Sequence, residues 1–314
     1  MDEFRKHSVE FYDNMLLDGA KLAPEEKLFS YKGVLYPATV CCAETLTALE
    51  TFEARRDDVI LTGYPKTGTH WLDKILNNVV DIGAKYTEEE KNKRIDIENE
   101  LAMPPRLEFV HADKLKMMEK LPSRRIIVTH LTPDTLPKSI FKNKAKVLVL
   151  IRNPKDTLVS YFHFINKMSI FPTLTWDSFF RDFMNGKVGW GSYFDYIKEW
   201  DKYIDDENVT ALIYEELKEN PNLGLKKIAA FLGYSLNEEE IQKVIEKSSF
   251  KVMMENGPNT LGKFTDIIFR KGSVGDWRSM FSDSQNQEMD RKFEECLAGT
   301  KLGAKINYEV YCKM

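Results

Sequence analysis

Four short apolar runs, each closed by a polar or basic residue, restrict the architectures open to this chain. They are "VILTGYP" (59–65), "RIIVTH" (125–130), "KVLVLIRN" (146–153) and "VTALIYE" (209–215). Each is continuous in Val, Ile and Leu rather than alternating, the pattern of strands covered on both faces. Helical patterns follow most of them. Trp71, Leu72, Ile75, Leu76, Val79 and Val80 recur along one face of a helix. The segment after "RNP" reads as a second helix to Met168, with Pro154 in its first turn. "WDSFFRDFMNG" and "YFDYIKEWDKYI" read as further helices, and "NEEEIQKVIEK" starts with Asn237 and Glu240 at capping-box spacing. Strands alternating with helices predict an α/β fold with a central parallel sheet flanked by helices on both faces. Ligands of such sheets bind beyond the carboxyl ends of the strands, where the polar residues fall.

The stretch after the first run, "GYPKTGTHW" (63–71), makes that sheet P-loop-like. Gly63, Gly68 and the small Thr67 and Thr69 let backbone N–H groups turn inward, and the following helix offers its unpaired N–H groups to the same point. Lys66 adds a full charge. The ATP-type loop places Lys-[ST] after its second glycine, whereas Thr69-His70 stand there in this chain. The third run ends in Arg152, not in the metal-binding aspartate of a nucleotide triphosphatase. Ser160 follows eight residues later, where a helix would bring it back over the first turn, so it is expected to grip one anion together with Arg152. "FRKGSVGDW" (269–277) supplies a further basic turn at Arg270, Lys271 and Gly272. Three cationic clusters predict a ligand with phosphates at two positions and no metal. The net charge of −4 and pI near 5.9 argue against nucleic acid and anionic membrane as partners, so an anion must be met by local clusters. His130 ends the run "RIIVTH" outside any helical pattern, where a neutral imidazole can take a proton from an acceptor hydroxyl; a lone histidine is more often structural than catalytic.

"YPKTGTHW", "THL", "RNPKDTLVS" and "RKGSVGDW", in that order, resemble the cytosolic sulfotransferase family. The C-terminal "NQEMDRKFEECLAGTKLGAKINYEVYC" is similar to its 6B branch. The resemblance spans nearly the whole chain, so 1–314 is read as one sulfotransferase domain. It implies transfer of a sulfonate group from 3′-phosphoadenosine-5′-phosphosulfate (PAPS), leaving adenosine 3′,5′-bisphosphate, with a small hydrophobic phenol, alcohol, amine or xenobiotic as acceptor. Lys66, Thr67, Gly68, Thr69, His70 and Trp71 then surround the 5′ end, Trp71 beside the adenine. Arg152, Ser160, Arg270, Lys271 and Gly272 hold the 3′-phosphate. Phe194, Ser248, Phe250, Met253 and Phe269 complete the cofactor site. His130 is implied as general base, with Lys66 stabilising the leaving oxygen, and Phe164, Ile170 and Phe171 as lining for the acceptor. The glycine-flanked segment 257–272 is expected to be a loop that orders over the cofactor.

The chain departs from the family pattern in several places. Val128 stands where many members have lysine, His70 replaces a small polar residue, and Phe194 replaces a tyrosine. The short dimer motif is altered at Arg278, Ser282-Asp283 and Gln287, which weakens the expectation of a homodimer. A non-catalytic nucleotide-binding relative and a P-loop kinase stand as alternatives. The longest strongly apolar run, "VLVLI", is far short of the ~20 residues a membrane span needs. The first twenty residues mix acids and bases without an apolar core, unlike a secretory signal. With Cys41, Cys42, Cys296 and Cys312 lacking metal-ligand spacing, the chain is expected to be cytoplasmic with reduced thiols.

Overall fold

The computed structural model describes the backbone of residues 3–313 and the side chains of residues 6–313. Met1 and Asp2, the start of the mixed-charge N-terminal stretch, and Met314 lie outside the described residues. An antiparallel hairpin joins β1 (Leu28–Tyr31) to β2 (Val34–Pro37). A four-stranded sheet contains β3 (Val59–Gly63), β4 (Ile126–Thr129), β5 (Lys146–Ile151) and β6 (Val209–Ile213). Their order is β4-β3-β5-β6 and every pairing is parallel. These are the four apolar runs of the sequence.

The continuous burial of β3 and β4 has a direct cause, because each face of the sheet carries its own apolar layer. Val59, Leu61, Val128, Leu148 and Leu150 face one layer, shared with Leu72, Leu76, Val79 and Ile228. Ile60, Ile127, Val147 and Val149 face the other, with Leu158, Phe183 and Trp200. The predicted helices are present as Thr69–Gly83, Pro154–Lys167, Trp176–Met184, Tyr193–Asp201 and Glu238–Lys247. Asn237 and Glu240 form the capping box reciprocally. No helix among the described residues is long and apolar enough to cross a membrane.

One region differs from expectation. Segment 257–272 is not an open loop over most of its length: Pro258–Leu261, Gly262–Phe264 and Thr265–Ile268 are short helical turns. The first two pack against the N-terminal helix Glu3–Lys21, with Phe264 stacked on Tyr12 at 4.8 Å, and the third packs against the helix Pro154–Lys167. At the altered dimer motif, Ser282 caps the helix Asp283–Cys296, accepting a hydrogen bond from Gln285 N–H at 3.2 Å.

The amino ends of two neighbouring strands are pinned by a buried ion pair. Arg125, just before β4, donates from Nε to Asp58 Oδ1 at 2.7 Å, and both side chains are fully buried. Asp58 also accepts from the Arg55 N–H at 2.7 Å, so the carboxylate organises the entry to β3. Removing one partner of such a pair leaves an uncompensated buried charge. We expect Asp58→Ala to lower the unfolding free energy by about 3–5 kcal/mol, read from the urea midpoint at unchanged m-value.

Candidate active site

The carboxyl ends of the four strands meet at one edge, and each is followed by a chemically distinctive group. After β3 comes the loop 64–68, after β4 His130, after β5 Arg152 and after β6 Tyr214. The parallel register makes this convergence obligatory, since Thr62 pairs with both Thr129 and Val149. A cleft of about 1450 Å³, counted out to its open mouth, lies over these ends.

The loop turns back sharply after β3. A Cβ on Gly63 would lie 2.7 Å from both Thr67 Oγ1 and Thr69 Cγ2, so only glycine allows the chain to fold over itself there. Gly68 sits at φ +107 as the N-cap of the helix Thr69–Gly83, in the left-handed region that favours glycine. Lys66 adopts φ +72, unusual for a residue with a side chain, and Arg152 holds its carbonyl from 3.3 Å. The N–H groups of Gly68, Thr69 and His70 have no backbone acceptor outside the helix, and the first helical turn offers none within it. Together they form a concavity with positive potential. The Lys66 ammonium lies 4.2 Å from the Phe164 ring centroid. Burial, with Arg152 and Arg270 adding repulsion, brings the Lys66 pKa down to about 7. A buried ammonium that gives up its proton so readily is short of an anion.

Arg152 supplies a second anion position. Its guanidinium donates to Ser273 O at 3.0 Å, lies 4.5 Å from the Tyr214 ring centroid, and leaves Nε buried without a partner. An orphaned charged donor is costly unless a ligand meets it. Asp156 ties the 269–277 turn to this point, accepting from Gly275 N–H at 2.7 Å and Trp277 N–H at 3.0 Å. Arg270 and Lys271 both reach Asp276, which holds these cations beside the cleft. Trp71 donates from Nε1 to Ser248 O at 2.9 Å, which sets its indole edge-on to Tyr214 at 5.5 Å.

The other end of the cleft is aromatic. His130 Nδ1 lies 2.6 Å from Gly63 O. A carbonyl can only accept, so the proton belongs on Nδ1 and Nε2 keeps its lone pair. Burial lowers the imidazole pKa, Arg106 and Lys66 adding to the fall, while Glu108 and the Gly63 contact oppose it. The ring is therefore neutral at neutral pH. Glu108 is fully buried and accepts from the His130 N–H and the Thr129 hydroxyl, each at 2.8 Å. Trp190 lies edge-on to His130 at 5.2 Å, with Phe109 at 6.1 Å.

Most of the residues singled out from sequence share this cleft. Lys66, Gly68, Thr69, His70, Trp71 and His130 line it on the loop side. Arg152, Ser160 and Arg270 to Gly272 line the basic side, with Phe250, Met253 and Phe269 nearby. Phe164, Ile170 and Phe171 line the aromatic end. His70, half-buried, stands edge-on to Phe269 at 5.7 Å, and burial with Arg106 and Lys66 pushes its imidazole down to about 3.

Three expectations need correction. Phe194 does not line the cleft; it is 1% exposed in the core, edge-on to Tyr193 at 5.6 Å. The aromatic ring that lines the cleft beside Arg152 is Tyr214, which its position at the end of the fourth apolar run could have revealed. Thr67 is fully buried and spends its hydroxyl on Tyr64 O at 2.7 Å and its N–H on the same oxygen at 3.2 Å. It shapes the loop, with both of its donors turned to Tyr64 O. Ser248 directs its hydroxyl to Val244 O and acts on the cleft only through the carbonyl that holds Trp71. Sequence reasoning also missed Tyr12, Arg106, Phe109, Glu108 and Trp190, which lie in segments without a strand-end signal.

With the geometry in place, comparison with known proteins identifies the class. The sulfotransferase domain family model matches residues 56–301, and the chain belongs to that family. It is 46% identical to sulfotransferase 6B1 of Mus musculus over 97% of each chain. Against sulfotransferase 6B1 of Homo sapiens the identity is also 46%, covering 97% of each. Among solved structures, mouse sulfotransferase SULT7A1 complexed with PAP superposes with a TM-score of 0.80 at 33% identity, covering 91% of this chain and 99% of that one.

A Cβ at Gly68 would lie 2.8 Å from the Tyr214 ring, in addition to the cost of its positive φ. Gly68→Ala should therefore destabilise the fold by about 1–3 kcal/mol in urea titration. Pairing it with Tyr214→Ala should recover the steric part.

Proposed function

We propose that this chain transfers the sulfonate group of PAPS to the hydroxyl or amine of a small hydrophobic acceptor, such as a phenol, steroid-like alcohol or xenobiotic, with His130 as general base. The observation that carries this reading is a neutral imidazole of defined tautomer in the same cleft as Lys66 and the orphaned Arg152 donor. Lys66 and the free N–H groups of Gly68, Thr69 and His70 suit the 5′ end of the nucleotide. Arg152, Ser160, Arg270, Lys271 and Gly272 suit the 3′-phosphate, and the rings of Trp71, Tyr214, Phe250 and Phe269 suit the adenine. Free thiols at all four cysteines support a cytoplasmic setting.

Bound PAPS supplies an activated sulfonate whose S–O bond to the 5′-phosphate breaks as the acceptor oxygen or nitrogen bonds to sulfur. His130 Nε2 takes the acceptor proton, and its imidazolium is then held through Nδ1 by Gly63 O. Lys66 offsets the charge left on the departing 5′-phosphate oxygen. The aromatic walls exclude water and hold the acceptor near the imidazole. The products are the sulfonated acceptor and adenosine 3′,5′-bisphosphate.

The test is transfer from labelled PAPS to a panel of phenols and alcohols, alongside thermal shift with the bisphosphate and with ATP–Mg²⁺. Stabilisation by ATP–Mg²⁺ alone would refute the reading. His130→Ala should lower kcat about a hundred- to ten-thousand-fold while keeping stabilisation by the bisphosphate; normal turnover would remove His130 from the mechanism.

Lys66 also sets a pH dependence. In the free protein its proton is lost as pH rises through about 7, whereas a bound anion keeps the ammonium charged. Bisphosphate affinity should be full below pH 7 and decline above it, by at most about tenfold per pH unit. Calorimetry in buffers of different ionisation enthalpy should detect proton uptake at pH 8, and Lys66→Met should abolish it.

A further inference from the structure

Arg106 and Lys218 line the cleft without a part in the reaction above, and of the two only Arg106 is buried. It precedes β4 in space as well as in sequence: a parallel bridge sets it beside Val128, with Val128 N–H donating to Pro105 O at 2.8 Å and Leu107 N–H to Val128 O at 3.1 Å. The backbone is thus fixed on both sides of the residue. The side chain is 7% exposed, and the surface left to it is in the cleft wall.

Its surroundings are aromatic. The guanidinium carbon lies 5.8 Å from the centroid of Phe109, the same ring that stands 6.1 Å from His130. Phe109 is itself fixed, since Lys114 donates to its carbonyl at 2.6 Å. Tyr12, stacked on Phe264, belongs to the same end of the cleft.

A guanidinium buried this far ordinarily has a carboxylate partner. Arg152 has Asp156 at 3.9 Å, and Arg270 and Lys271 have Asp276. Arg106 forms no ion pair or side-chain hydrogen bond among the described residues. Two buried acids whose fields it shares, Glu108 and Asp73, accept hydrogen bonds from other groups. Glu108 is taken by the Thr129 hydroxyl and the His130 N–H, and Asp73 accepts from Asn77 at 2.9 Å. Burial raises the Asp73 carboxyl, and Arg106 only partly offsets it. Five donors in an apolar wall, open only to the cleft, are expensive unless a ligand supplies the acceptor.

We infer that Arg106 is an anchor for a carboxylate on the acceptor, so that the acceptors this cleft prefers are phenols or alcohols bearing an anionic arm about one aromatic ring away from the reacting hydroxyl. This rests on the sulfonate-transfer reading for the identity of the reacting end, but the binding of the anionic arm stands on Arg106 alone. The ring occupies the space beside Phe109 and Trp190, the hydroxyl meets His130, and the carboxylate meets the planar fork of the guanidinium. Arg106 acts as a specificity-determining residue, away from the bonds that form and break.

The experiment compares para-hydroxyphenylpropanoate with its neutral methyl ester, on wild-type protein, Arg106→Met and Arg106→Lys, each saturated with adenosine 3′,5′-bisphosphate for binding and with PAPS for transfer. Thermal stabilisation by the bisphosphate shows that each variant is folded with an intact cofactor end. The expected result is that wild type binds the acid about ten- to hundredfold more tightly than the ester. Arg106→Met should collapse that ratio to near one through KM, and Arg106→Lys should restore part of it. Equal affinity of wild type for acid and ester would overturn the inference. So would a fall in kcat for both acceptors alike in Arg106→Met, because the guanidinium would then act on the transferring group. Acid binding that depends on Arg106 without any transfer would uphold the anchor and defeat the sulfonate-transfer reading instead.

Discussion

The contact between His130 Nδ1 and Gly63 O, 2.6 Å long, joins the carboxyl ends of two adjacent strands and depends on nearly everything else in the structure. It requires β3 and β4 to be parallel and in register, Thr62 opposite Thr129, so that the next residues on each strand face one another. It requires glycine at 63, because a side chain there would collide with Thr67 and Thr69 as the loop returns. It requires the buried Glu108 carboxylate, which takes the His130 N–H and prevents the chain from continuing as a strand. With those met, one imidazole nitrogen is committed to structure and the other is left for chemistry.

Electrostatics at the other end follow a different logic. The chain as a whole is acidic, yet Lys66, Arg152, Arg270 and Lys271 share one cleft. Their mutual repulsion is moderated by two aspartates, Asp156 and Asp276, that also fold the 269–277 turn onto the helix Pro154–Lys167. The remaining imbalance is visible in the unpartnered Arg152 Nε and in the lowered Lys66 pKa. An anion bound between them would remove both, and would couple its binding to local stability.

The apolar end is assembled from distant segments. The hairpin β1–β2 receives Trp190, whose N–H donates to Leu35 O at 2.8 Å, and places it at φ +60 against His130. The N-terminal helix brings Tyr12 onto Phe264, in the helical segment that closes the cleft from the opposite side. Each of these aromatic residues belongs to an element whose own sequence carries no functional signal, because the signal is their meeting.

The sequence by itself determined the parallel sheet, the helices that cover it and the cationic strand ends. Continuous Val/Ile/Leu runs and helical periodicity are local consequences of burial on two faces, and strand-end charges are conspicuous against them. Lys66, His130 and Arg152 were legible for that reason. Thr67, Phe194 and Ser248 differ from expectation because side-chain direction is fixed only once the backbone has folded: the Tyr64 carbonyl three residues back takes the first, the aromatic core encloses the second, and the Val244 carbonyl one helical turn back takes the hydroxyl of the third. Only the tertiary structure decided that Glu108 holds the His130 N–H and that Arg106 is buried without an ion pair or side-chain hydrogen bond among the described residues. Those are properties of side-chain direction and of what the surrounding elements leave unpaired, and no local pattern of residues encodes them.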